Sequence, residues 1–82
     1  MSKIPTVDQI CLALKAAAKM HHEFQENALN GVRHKQWAMW YAAYVLGRLD
    51  NFTTATLLTQ WLSEVDDKDW FNKAAEHVVS NL

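Results

Sequence analysis

The stretch Trp37-Ala38-Met39-Trp40-Tyr41-Ala42-Ala43-Tyr44-Val45-Leu46 decides how this chain folds. It is apolar or aromatic at every position, with no alternation of apolar and polar residues, so it reads as a helix without a polar face. Such a helix is surrounded by protein on all sides. Consecutive Trp40 and Tyr41 point about 100° apart. Trp37, Trp40 and Tyr44 make one row, and Met39, Ala43 and Leu46 make another. One helix cannot turn both rows toward the same core, so one side is expected to face the other helices and the opposite side a second subunit.

The surrounding sequence supplies helices and little else. Only two Gly and one Pro occur, and β-branched residues nowhere alternate with polar ones, so strands have no good place to form. The central helix is expected over about Arg33 to Leu49. Gly47 within it costs about 1 kcal/mol relative to Ala and reads as either a close helix contact or an early stop. Upstream, Thr6 and Gln9 have the spacing of a capping box. The helix they start, running to about Asn30, carries Ile10, Leu14, Ala17, His21, Phe24 and Ala28 on one stripe. Gly31 suits the left-handed residue that ends it.

Downstream, Thr53 or Thr54 is expected to cap a third helix with Leu57, Leu58, Trp61, Leu62 and Val65 on its inner face. A fourth is expected to begin after Asp66, with Asp69 at its third position and Val65 stapled against Trp70. Phe71, Ala74, Ala75, Val78 and Leu82 make its buried stripe. The connections are short, which implies antiparallel hairpins. The fold expected is all-α, a compact bundle of about four short helices forming a single domain over residues 1–82.

Composition narrows the function classes. A chain of 82 residues buries only roughly 60–65% of the surface its unfolded form exposes. Half of the residues are hydrophobic and four are Trp, more bulky apolar surface than one such domain readily hides. A homodimer, or another protein partner, is the natural cover. The net charge of −1 offers no positive field for phosphates, which argues against nucleic acid. The lone Cys11, set among Ala and Leu, excludes an intrachain disulfide and reads as a buried, reduced thiol. The N-terminus carries no basic leader followed by an apolar stretch, so a cytoplasmic location is expected. The apolar run from Trp37 to Leu46 is about half of what a bilayer crossing requires.

Chemistry has three candidate locations. The first is the cluster His21, His22, Glu23, Glu26 and His34, which a turn near Asn30 and Gly31 brings toward Trp37 and Tyr41. His22 and Glu26, four apart, share a helix face. The Glu-x-x-His, His-Glu-x-x-His and paired-Cys patterns of metal sites are all missing, so no metal or cofactor is assigned. His21 reads more simply as a buried neutral imidazole beside Tyr41 or Tyr44, and His22, His34 and His77 as surface or half-exposed residues.

The second is the first turn, where Glu23 and Glu26 lie at the negative end of one helix dipole and Arg33, His34 and Lys35 at the positive end of the next. Each misplacement costs about 0.3–1 kcal/mol if exposed, and mutual pairing of the acids with the bases is the natural compensation. The third is the aromatic belt of Trp37, Trp40, Tyr41 and Tyr44, with Trp61 and Trp70 available from later helices. Residues at such spacing form core, and the surplus covers a partner or walls a pocket. Ser2, Ser63 and Ser80 lack a nearby base, and no catalytic residue is assigned.

The segment His21-His22-Glu23-Phe24-Gln25, the Asn30-Gly31 turn and Trp37-Ala38-Met39-Trp40-Tyr41-Ala42 together resemble a pattern in uncharacterised small helical bacterial proteins. There, a His followed closely by an aromatic and an acid precedes a Trp-x-x-Trp-Tyr-Ala block. The match covers roughly a third of the chain. It departs at Gln25 and at Arg33, His34 and Lys35, where acids are common. The resemblance implies a bacterial helical domain and no particular activity.

The function expected is therefore a binding or protein-interaction module, not an enzyme, that self-associates through Trp37, Met39, Trp40 and Tyr44. The alternative is a small-ligand or metal site built from His21, His22, Glu26 and His34 beside Trp37 and Tyr41, with an imidazole as ligand or general base.

Overall fold

The computed structural model describes residues 4–28 and 36–82, which form four helices and no strand: α1 (Val7–Ala28), α2 (Trp37–Leu49), α3 (Ala55–Ser63) and α4 (Trp70–Ser80). The chain is an all-α bundle of short helices. Among the described residues, no helix is long and apolar enough to cross a membrane.

Local chemistry sets the helix starts. At α1 the Thr6 amide donates to Gln9 Oε1 at 2.9 Å and the Gln9 amide donates to Thr6 Oγ1 at 3.1 Å, so two amides that precede the helical ladder find side-chain acceptors. At α3 the Leu57 amide donates to Thr54 Oγ1 at 3.2 Å, which selects Thr54 over Thr53 as the cap. Two starts fall later than the sequence suggests. Gln36 is a turn residue at the N-cap position, so α2 begins at Trp37. The fourth helix begins at Trp70, with Asp69 at its cap position and not three residues inside it. The Asp69 amide there donates to Asp67 Oδ1 at 2.9 Å, an Asx turn that takes up the backbone between α3 and α4.

Gly47 neither ends α2 nor marks a close approach: the helix continues to Leu49, and a Cβ on Gly47 would meet nothing within 4 Å. The chain leaves the helix at Asp50, whose φ of 76° lies in the left-handed region. The residues expected to make the first turn, Asn30 and Gly31, fall outside the described residues.

The helices form a ring in which α1 packs on α2 and α4, and α3 packs on the same two neighbours. The sequence stripes converge on one core. Ile10 and Leu14 from α1, Val45 from α2, Leu58 and Leu62 from α3 and Val78 from α4 are fully buried. Burying a side chain of this kind stabilises the fold by about 1.5–3 kcal/mol. Two residues assigned to inner stripes lie at their margin. Leu57 is 42% exposed, one helical step away from buried Leu58, and Leu82 is 38% exposed, beyond the last turn of α4.

Candidate functional site

His21 falls on the stripe Ile10, Leu14 and Ala17 of α1 and is buried with them. Its ring is enclosed by aromatic neighbours: Trp40 at a centroid distance of 5.1 Å, Tyr41 at 5.3 Å and Phe24 at 6.3 Å. The contact with Tyr41 is edge-on, with planes at 64°, a preferred geometry for paired rings. Burial pushes the Tyr41 hydroxyl above its ordinary pKa, because the phenolate is the form that loses hydration.

From this pocket the rings continue in two directions. Outward along α2, Trp40 stacks on Tyr44 at 5.7 Å with planes at 15°, and Phe24 of α1 stacks on the same indole at 6.2 Å. Inward, Trp37 meets Tyr41 at 5.6 Å, and both meet Trp70 of α4, at 5.6 and 5.8 Å. Trp70 thereby bridges α4 to α2 across the ring of helices. Of the four indoles only that of Trp61 is buried; Trp37, Trp40 and Trp70 are half-buried, each covered in part by other rings.

The structure thus brings His21, Trp37, Trp40, Tyr41 and Tyr44 into one aromatic cluster. His22, Glu23 and Glu26 stand exposed on α1, turned away from the stripe that holds His21 by the 100° step of the helix. His34, and with it Arg33 and Lys35, lies outside the described residues. Among the described residues no three His, Cys, Asp or Glu side chains come together as a metal-ligand set.

Met39, the remaining member of the second-helix set, is 54% exposed. It borders an open groove of about 270 Å³ whose other walls are Ala55, Thr56 and Thr59 of α3. The loop of residues 50–54 returns α3 alongside α2, which is how two segments distant in sequence form one groove.

Two polar contacts were not legible in the sequence. Cys11 is a free, buried thiol that donates to Asn72 Oδ1 at 3.2 Å, and the Asn72 amide donates to both oxygens of Asp69 at 3.1 and 2.9 Å. This relay joins the start of α1 to the start of α4. Glu64, at the C-cap of α3, lies 2.8 Å from His77 Nε2 on α4. Hydrogen bonds from His77 and Gln60 hold the Glu64 carboxyl below the usual glutamate range. Only the approximate registration of α3 against α4 would have paired these residues in advance.

No protein-family model, curated protein or solved structure matches this chain, so a functional reading rests on its own residues.

Proposed function

We propose that this protein is a small helical interaction module that self-associates through α2. The observation that carries the reading is the exposure of Met39, 54%, on a helix with no charged side chain from Trp37 to Gly47. Half-exposed Trp40 and Tyr44 stand beside it. Aromatic residues and Met are the types enriched where proteins meet, and charged residues the types depleted there. The arrangement around His21 favours this reading over the small-ligand one: its ring is enclosed by Phe24, Trp40 and Tyr41, whereas the groove opens beside Met39.

Sedimentation velocity from low to high micromolar concentration tests the proposal. The expected result is a concentration-dependent rise from monomer toward dimer mass. Monomer alone across that range overturns it.

A further inference from the structure

We infer that two copies of this chain exchange their C-terminal halves, α3 with α4, about the connection of residues 50–54, so that each bundle is completed by the other copy's helices. The exchange uses contacts inside the bundle and stands apart from the α2 face proposed above.

The hinge carries the first observation. Asp50 leaves α2 with φ 76° and ψ 168°, a combination that glycine alone adopts with ease, because a Cβ there crowds the chain's own backbone. Among the described residues it is the one non-glycine residue with a positive φ. Two residues on, the Phe52 amide donates back to the Asp50 carbonyl oxygen at 2.9 Å and closes a three-residue turn. The Asp50 side chain is exposed, so core packing does not impose this conformation. The return of α3 alongside α2 does, and a hinge that stays open relaxes it.

Topology carries the second. A cut at residues 50–54 divides the ring of helices into α1 with α2 and α3 with α4, two halves joined by that segment alone. The contacts between the halves are α2 on α3 and α1 on α4. They share one core: Ile10, Leu14 and Val45 from the first half and Leu58, Leu62 and Val78 from the second are all fully buried. Opening the hinge lays both stripes bare to water.

This identity of surfaces names the occupant. The stripe exposed on α1 and α2 is shaped to the α3 and α4 of this sequence, and a second copy is the molecule that carries them. In the exchanged pair every core contact re-forms between chains, whereas the strained φ does not. Short hinge loops under strain favour such an exchange, and a reciprocal exchange closes as a dimer.

The core itself supplies a reporter. Cys11 is the single cysteine of the chain, and its thiol on α1 donates to Asn72 Oδ1 on α4 at 3.2 Å. Asn72→Cys therefore sets a second thiol beside it, across the boundary between the halves. This variant is unfolded in urea, refolded at high micromolar concentration, separated by size-exclusion chromatography and oxidised with diamide. Denaturing electrophoresis without reductant then reads whether the link lies within a chain or between chains.

The expected result is a covalent dimer from the dimer fraction and an internally linked single chain from the monomer fraction. A dimer fraction whose chains run singly overturns the exchange and leaves association through the α2 face standing. If neither this variant nor the parent yields a dimer fraction, both fall.

Two hinge variants of the parent repeat the test without touching the core. Asp50→Gly accepts the positive φ and is expected to weaken the dimer Kd, read by sedimentation equilibrium after the same refolding, roughly tenfold or more. Asp50→Ala lacks even the partial tolerance of Asp for positive φ and is expected to tighten it. Equal dissociation constants for the parent and both variants overturn the exchange.

Discussion

Gly47 is a residue whose surroundings reverse its usual meaning. Inside a helix, glycine ordinarily signals a neighbouring backbone too close for a Cβ, but here the Cβ position is open. Its conformational freedom therefore only costs helix stability, by favouring the unfolded chain. Gly47→Ala is expected to raise the unfolding free energy by about 0.5–1 kcal/mol, measured by urea denaturation at low micromolar concentration, where self-association contributes least. Asp50, three residues on, carries the positive φ that glycine would have suited, so the residue suited to the turn and the residue that makes it are offset in the chain. The threonine caps behave otherwise. Thr6 was legible, and Thr54 as one of two adjacent candidates, because a cap needs only a hydroxyl at the right distance along the chain from a free amide, a wholly local condition.

At the scale of the elements, α3 and α4 are held by more than their shared core. The Glu64–His77 contact closes over the outside of the pair, and it gives the pair a pH dependence whose sign can be worked out. Glu64 has a folded pKa below its ordinary value. Its contribution is therefore present above the unfolded glutamate pKa and is lost as pH falls through the lower folded value. Both side chains are substantially exposed, so solvent screening keeps the effect small. Urea denaturation at pH 7 and again on the acid side of the ordinary glutamate range, for the parent and for Glu64→Gln, checks it. The parent is expected to lose more stability between the two conditions than the variant, and equal losses would show that the pair contributes nothing. The start of α4 belongs to this scale too. The sequence pointed to Asp66 as the cap with Asp69 inside the helix, whereas Asp69 holds the cap position and its amide is taken up by Asp67 in an Asx turn.

For the whole molecule, the distribution of charge matters more than its sum. A net charge of −1 says little about partners beyond disfavouring polyanions, but between residues 36 and 63 only Arg48 and Asp50 are charged, so α2 and α3 carry little charge. Association through α2 is expected to depend weakly on ionic strength, since no ion pairs are made or broken at its centre. Sedimentation equilibrium at low and at high salt should return dissociation constants within about twofold of each other; a steep weakening with salt would place charged residues in the contact.

The sequence by itself determined the four helices, the Thr6 capping box and most of the inner stripes, because each follows from interactions within a few residues along one chain segment. What only the tertiary structure decided was which way that helix is turned. A helix apolar on every side has no polar stripe to mark its outside, so the sequence offers no signal for orientation. Packing chose Ala38, Ala42, Val45 and Leu46 for the interior, folded the larger rings over His21 and against Trp70, and left Met39 facing out. Aliphatic side chains fill the inner side of α2, and the bulky rings of Trp37, Trp40, Tyr41 and Tyr44 pack half-buried at its margins.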